Sequence, residues 1–280
     1  MNSLILLAVI QIIAEVLPIS SSGHLRLAEL LAAQVGLPLP VQPHYFDEFL
    51  HLYTFLVVAL FFRAVWLAWP RRLLAIALRW GRGARLTCMQ VRLLRLCLRL
   101  TGNAALTMVI TAGGYFLLKE GLGLNALLTH PLWLALGFFA TALLLLFGRQ
   151  RAIHPHAVVL IALAQVGAML PGISRFAATT VVGMLVGLSP RRAMQWSWFI
   201  FMPLMFAASI IHGVGGCIIK QGAWLLLQPG MVLACVLAAV ISYGCLALVQ
   251  RAFVTGRAWL LGSYLLLPFL VALVLGLVGG

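Results

Sequence analysis

The chain has 280 residues, 64% hydrophobic and 9% charged, with a mean hydropathy of +1.10 and a net charge of +14. No soluble domain covers that much apolar surface, and several runs reach the roughly 20 residues that cross a bilayer. The basic residues are arginines apart from Lys119 and Lys220 and stand almost entirely between apolar runs, the pattern of a positive-inside bias, which argues against nucleic acid as a partner.

The first 17 residues have the length of a signal peptide but lack a basic start and carry Glu15 near their end, so they read as retained structure. The following residues are Val16-Leu17-Pro18-Ile19-Ser20-Ser21-Ser22-Gly23-His24. An ionisable carboxylate in an apolar setting costs several kcal/mol unless it faces a cavity, a partner or a substrate. Here it is followed within nine residues by three hydroxyls and an imidazole, a combination suited to phosphate chemistry.

Full spans are predicted near 46–68, 101–118, 129–148, 195–214, 229–249 and 258–278. Arg71, Arg72, Arg79, Arg82, Arg85, Arg92, Arg95 and Arg99 fill one connection, and Arg149/Arg151, Arg191/Arg192 and Arg251/Arg257 mark the others. All of these are cytoplasmic only if residues 37–45 and the C-terminus lie outside. The 70–99 segment reads as a basic, topology-setting stretch, with Arg92, Arg95 and Arg99 forming a stripe on a short interfacial helix. The five cysteines have no metal-ligand spacing and read as lipid- or core-facing side chains.

Two segments do not fit a simple alternation of spans. Residues 1–40 and 152–190 each begin and end on one side, yet both are apolar, and each breaks at a proline turn, Leu17-Pro18-Ile19-Ser20 and Leu170-Pro171-Gly172-Ile173-Ser174. Non-helical backbone at membrane depth is tolerated where it lines a cavity or is buried in protein. The expectation is an all-α integral membrane protein of about six transmembrane helices plus two re-entrant helical hairpins that enter from opposite faces and meet near the midplane. Gln11 and Gln165 precede the two turns, so residues 1–118 and 119–280 read as a first and a second repeat of one inverted-repeat membrane domain.

Serines after a proline turn cap free N–H groups of the next helix, and a helix N-terminus attracts anions. Ser20, Ser21 and Ser22 do this in the first hairpin and Ser174 in the second, where Arg175 follows at once. Two helix N-termini, four hydroxyls and a guanidinium able to grip phosphate with two donors are thus expected to converge on one anionic group. Glu15 is the expected partner of Arg175 in the empty protein.

Glu15-Val-Leu-Pro-Ile-Ser-Ser-Ser-Gly-His24 and Pro171-Gly-Ile-Ser-Arg175 resemble the two signature motifs of the BacA-type undecaprenyl pyrophosphate phosphatases, and the likeness extends more loosely to Phe46-Asp47-Glu48 and Gln165. The resemblance implies a multi-pass enzyme of the bacterial inner membrane, its site facing the periplasm, that removes the terminal phosphate of a polyprenyl diphosphate lipid with a divalent cation, Mg or Ca. Carried over by motif, Glu15 and Gln11 fill the (E/Q)xxxE signature, and Ser21 matches the proposed nucleophile with water attack left open beside it. His24 is the motif histidine that shuttles the proton or binds phosphate, and Ser174 and Arg175 are the diphosphate-binding pair. Ser20, Ser22 and Thr179 stand beside them as substrate-binding positions, and Asp47 joins Glu15 as a candidate metal ligand. Oligomeric state is left open.

The departures from the pattern are Phe176-Ala177 where a serine and a glycine are usual, His51 in place of a glutamine, and Leu265 after Tyr264 in place of an arginine; Gln11 is within the signature but removes one negative charge. They keep open a non-hydrolytic transporter of a phosphorylated polyprenyl lipid or anion, and a catalytically dead lipid-binding relative. Retention of Glu15, Ser21, His24 and Arg175 together favours the enzyme.

Overall fold

The computed structural model describes residues 2–37, 45–117, 130–152, 154, 156–216 and 227–278. Lys119, Lys220, Cys217 and most of the expected outer loop 37–45 lie outside the described residues.

Among the described residues all regular structure is helical. The first helical pair is α1 (Asn2–Val16) and α2 (Ser21–Gln34); then come α3 (Phe46–Phe61), α4 (Arg63–Gly81) and α5 (Cys88–Phe116). The second half has α6 (Pro131–Phe147), the pair α7 (Ala157–Gly167) and α8 (Arg175–Leu185), then α9 (Pro190–Ala208), α10 (Pro229–Val254) and α11 (Trp259–Val278). A π-helical turn, Ser209–Val214, continues α9. Four helices are long and apolar enough to cross a membrane, five if the bent α3–α4 pair counts as one span. Leu237, Val240, Leu248, Leu267 and Leu270 of α10 and α11 are exposed, as lipid-facing side chains of a multi-pass membrane protein are.

The helices follow the apolar runs, with three corrections. The 46–68 run is not one straight span: the chain bends by 73° between α3 and α4. Arg63 opens α4 and donates to the Leu60 carbonyl at 2.9 Å, so its charge satisfies the end of α3 instead of travelling with it. The run near 129–148 forms the 17-residue helix α6, just short of the length expected of a full crossing. Arg92, Arg95 and Arg99 are not on a separate interfacial helix. They sit on the first turns of the 29-residue α5, which a Thr87–Gln90 capping box starts well before the apolar run.

Both proline turns are where the sequence places them. α1 and α2 pack on each other, as do α7 and α8, and at 15, 14, 11 and 11 residues these helices are too short to span alone. Ser20 caps α2 by accepting from the Gly23 N–H, and Ser174 caps α8 by accepting from the Ala177 N–H, both at 3.3 Å. The reversals differ in kind. The second uses Gly172 at φ 84°, whereas the first puts Ser20 itself at φ 69°, a left-handed conformation that costs a side-chain-bearing residue about 1–3 kcal/mol.

The two tips touch. A Cβ added to Gly23 would stand 3.0 Å from the Gly172 Cα, so only a glycine lets the start of α2 reach the second turn this closely. Helix α6 backs that turn: a Cβ on Gly137 would overlap the Pro171 carbonyl oxygen at 1.9 Å. Buried Thr141 then fixes it. Its Oγ1 accepts from the Ser174 N–H at 3.0 Å, and its own proton is shared between the carbonyls of Gly137 (3.0 Å) and Gly172 (3.1 Å). Around the tips lies the larger core, with Val16, Phe138, Phe176, Trp198, Met205 and Phe253 buried in it, and α6 packs along α11 as the most extensive helix pair.

Candidate functional site

Where the tips meet, an open cleft lies between the end of α1, the start of α2 and the start of α8. Glu15, Ser20, Ser21, Ser22, Ser174 and Arg175 all line it, with Phe176 and Phe201. Two serine-capped N-termini therefore open on one space, a ready site for an anion.

Ser21 donates its hydroxyl to Glu15 Oε2 across the first turn. The pair has the form of a hydroxyl nucleophile held by its base. Arg175 does not pair with Glu15. Among the described residues the one ion pair is Arg26–Glu29 on α2, at 3.0 Å, and the Arg175 guanidinium instead lies over the Phe201 ring, 4.2 Å from its centroid. A flat guanidinium on an aromatic face gains cation–π attraction while its N–H groups remain available to a ligand. This corrects the expected resting partner: Glu15 is engaged by Ser21, and Arg175 by a ring.

Phe176, where a hydroxyl is usual, is 5% exposed and packs on Trp198 at 4.8 Å between ring centroids. It forms an apolar wall of the cleft and displaces none of the six polar residues.

The structure does not bring every candidate to the cleft. His24 does not line it. Its Nδ1 contacts the Ser20 carbonyl at 2.8 Å, its Nε2 contacts the Tyr264 hydroxyl at 3.0 Å, and its ring stacks on Tyr264 and meets Phe138 edge-on. It therefore braces the strained Ser20 turn against α11. Thr179 is buried, donates to the Arg175 carbonyl at 2.8 Å and shares a short hydrogen bond with Ser197 on α9. Asp47 is in the first turn of α3, outside the cleft lining, with Oδ1 buried and unpartnered. Gln11 is buried one turn before Glu15 on α1, and its Oε1 has no partner.

A divalent cation fits these residues in one mode. No group of three or more His, Cys, Asp or Glu converges among the described residues, so a cage built from protein alone is not offered. Among the described residues Glu15 is the one carboxylate lining the cleft, and Gln11 Oε1 is an orphaned oxygen a turn away. That donor set suits a cation held by one carboxylate together with phosphate oxygens of a bound substrate.

Three residues that matter here are not legible as site residues in the sequence. Phe201 is one of several aromatics in Trp196–Phe201, and only the packing of α9 on α8 selects it. Thr141 lies mid-helix in an apolar run. Tyr264 stands out in sequence only as the residue before Leu265.

A family model described as "Bacitracin resistance protein BacA" matches residues 4–271. The undecaprenyl-diphosphatase of Thermus thermophilus is 33% identical over 264 residues, covering 88% of each chain. That of Desulfosudis oleivorans is 30% identical over 272 residues, 93% of each chain, and that of Halorhodospira halophila 29% over 227 residues, 75% of each.

Proposed function

The chain belongs to the BacA family, and from that premise we propose that it hydrolyses undecaprenyl diphosphate to undecaprenyl phosphate and inorganic phosphate, regenerating a lipid carrier for cell-wall glycan synthesis. The observation that carries this reading is the Ser21–Glu15 pair sharing one cleft with Arg175.

Phosphoryl transfer asks a protein chiefly for charge neutralisation and alignment. Arg175 and the N-termini of α2 and α8 bind the diphosphate. Ser21 Oγ attacks the terminal phosphorus, Glu15 takes the hydroxyl proton, the bridging P–O bond breaks, and undecaprenyl phosphate leaves with that proton on its phosphate oxygen, which returns Glu15 to the carboxylate. Water then attacks the phosphoserine, its proton passes by way of Glu15 to Ser21 Oγ, and inorganic phosphate is released. A Mg or Ca ion, held by Glu15 and Gln11 together with the substrate, would supply further neutralisation of phosphate charge. Glu15 then has two duties, and Asp47, like Gln11 outside the cleft lining with a buried, unpartnered oxygen, is a further candidate ligand.

The same reading places the chain in a bacterial inner membrane, with the cleft opening toward the periplasm and the two hairpins as inverted halves entering from opposite faces. The paired hydroxyl and carboxylate are chemistry that a transporter of the intact lipid does not need, and no observation in the cleft favours transport by itself.

The test is to incubate purified chain with undecaprenyl diphosphate and count both products. Equal amounts of inorganic phosphate and undecaprenyl phosphate are expected. Intact lipid recovered from folded, lipid-binding protein would overturn the reading, and flux in liposomes would then be measured.

A further inference from the structure

Gln165, on α7, is 1% exposed, and among the described residues it is the side chain with both polar atoms, Oε1 and Nε2, buried and unpartnered. A primary amide left this way is costly, and sites that keep one usually satisfy it with ordered water or with function. The buried hydroxyls of α5, the helix packed along α7, are turned back on their own helix, Thr107 to the Asn103 carbonyl and Thr111 to the Thr107 carbonyl, each at 2.8 Å.

Its place is not arbitrary. Gln165 precedes the cap serine of its hairpin by nine positions (165 to 174), as Gln11 precedes its own (11 to 20), and Gln11 too is buried with an orphaned amide oxygen. Gln165 leaves α7 three residues before Ala168, which lines the cleft, so it lies on the same side of the helix one turn further from the tip. An occupant that satisfies Oε1 must donate, and one that satisfies Nε2 must accept. Water does both, whereas an ionised phosphate only accepts.

We propose that Gln165 is a positioning residue that holds water behind the cleft wall at Ala168 and delivers it to the second chemical step. This rests on the phosphatase reading. In that step the water oxygen forms a bond to the phosphorus of phosphorylated Ser21, the Ser21 Oγ–P bond breaks, and the water proton moves through Glu15 to Ser21 Oγ. The first step, attack by Ser21 on the lipid, needs no water and does not involve Gln165.

The experiment compares wild type with Gln165→Met, an unbranched apolar side chain of similar length, and with Gln165→Leu should the first fail to fold. Undecaprenyl phosphate and inorganic phosphate are followed from the first turnover, together with thermal stability. The expected result is a burst of about one equivalent of undecaprenyl phosphate per enzyme, with the phosphate retained on Ser21. Steady-state phosphate release should then fall about 10- to 100-fold, with a midpoint close to that of wild type because an apolar side chain of similar volume replaces the amide. Turnover like wild type, slowing without a burst, or activity lost in step with stability would each overturn the inference and leave the phosphatase reading standing. A wild type that releases no phosphate would overturn that reading, and this inference with it.

Discussion

Gly23 of the first hairpin lies against Gly172 of the second, the Cα of Gly172 only 3.0 Å from where a Gly23 side chain would begin. That contact brings Ser20–Ser22 and Ser174–Arg175, far apart in sequence, to one cleft. A Cβ at Gly172 would also stand 2.5 Å from the Leu134 carbonyl oxygen, on a residue at φ 84°. Gly172→Ala is therefore expected to destabilise the protein by about 2–4 kcal/mol and to reduce phosphate release. Thermal unfolding in detergent measures the first effect, and an unchanged midpoint would contradict the close packing of this turn on α6.

Phe201 supports the Arg175 guanidinium from below, at 4.2 Å. Phe201→Leu keeps the apolar volume but removes the cation–π contribution of about 0.5–2 kcal/mol. The expected outcome is a KM for the lipid raised about 2- to 30-fold, with kcat changed less. Equal kinetics in the two proteins would show that Arg175 needs no platform.

Restoring a serine at position 176 is expected to harm the protein, although it matches the commoner motif. The Phe176 ring is buried against Trp198 and Phe253, and removing it leaves a cavity worth about 3–5 kcal/mol. Phe176→Ser should lower the melting temperature without raising turnover. A more active and equally stable variant would mean that the aromatic wall is a defect of the site and not part of its packing.

His24 contacts Tyr264 at 3.0 Å and does not line the cleft. Tyr264→Phe should cost about 0.5–1.5 kcal/mol and slow turnover only slightly, because the ring stacking remains. A loss as large as that of a Ser21 variant would place His24 in the chemistry instead of the scaffold.

The reading of the sequence succeeds where the chemistry is local. Pro18 and Pro171 break their helices, and Ser20 and Ser174 cap the next ones through the N3 amide, whatever surrounds them. Glu15, the three serines and Arg175 are therefore legible from the residues themselves, whereas the choice of Ser21 among the serines rests on the likeness to the BacA-type motif. It fails where the determinant is distant or collective. No glycine or proline marks the bend at Phe62, which follows from Arg63 leaving the apolar span. The pairing of Glu15 with Ser21 in place of Arg175 depends on the positive φ of Ser20, which turns Ser21 back over α1. Phe201 reaches the cleft, and Tyr264 reaches His24, from helices late in the chain, and no periodicity singles them out.

The central claim is that Glu15 and Ser21 act together on a diphosphate held by Arg175. Its most direct test is inorganic phosphate release from undecaprenyl diphosphate by wild type, Glu15→Gln and Ser21→Ala, with lipid binding measured in parallel and with Mg or Ca added or chelated. The account predicts cation-supported release that falls at least about 100-fold in both variants while lipid binding persists. Undiminished release by Glu15→Gln or Ser21→Ala would contradict it.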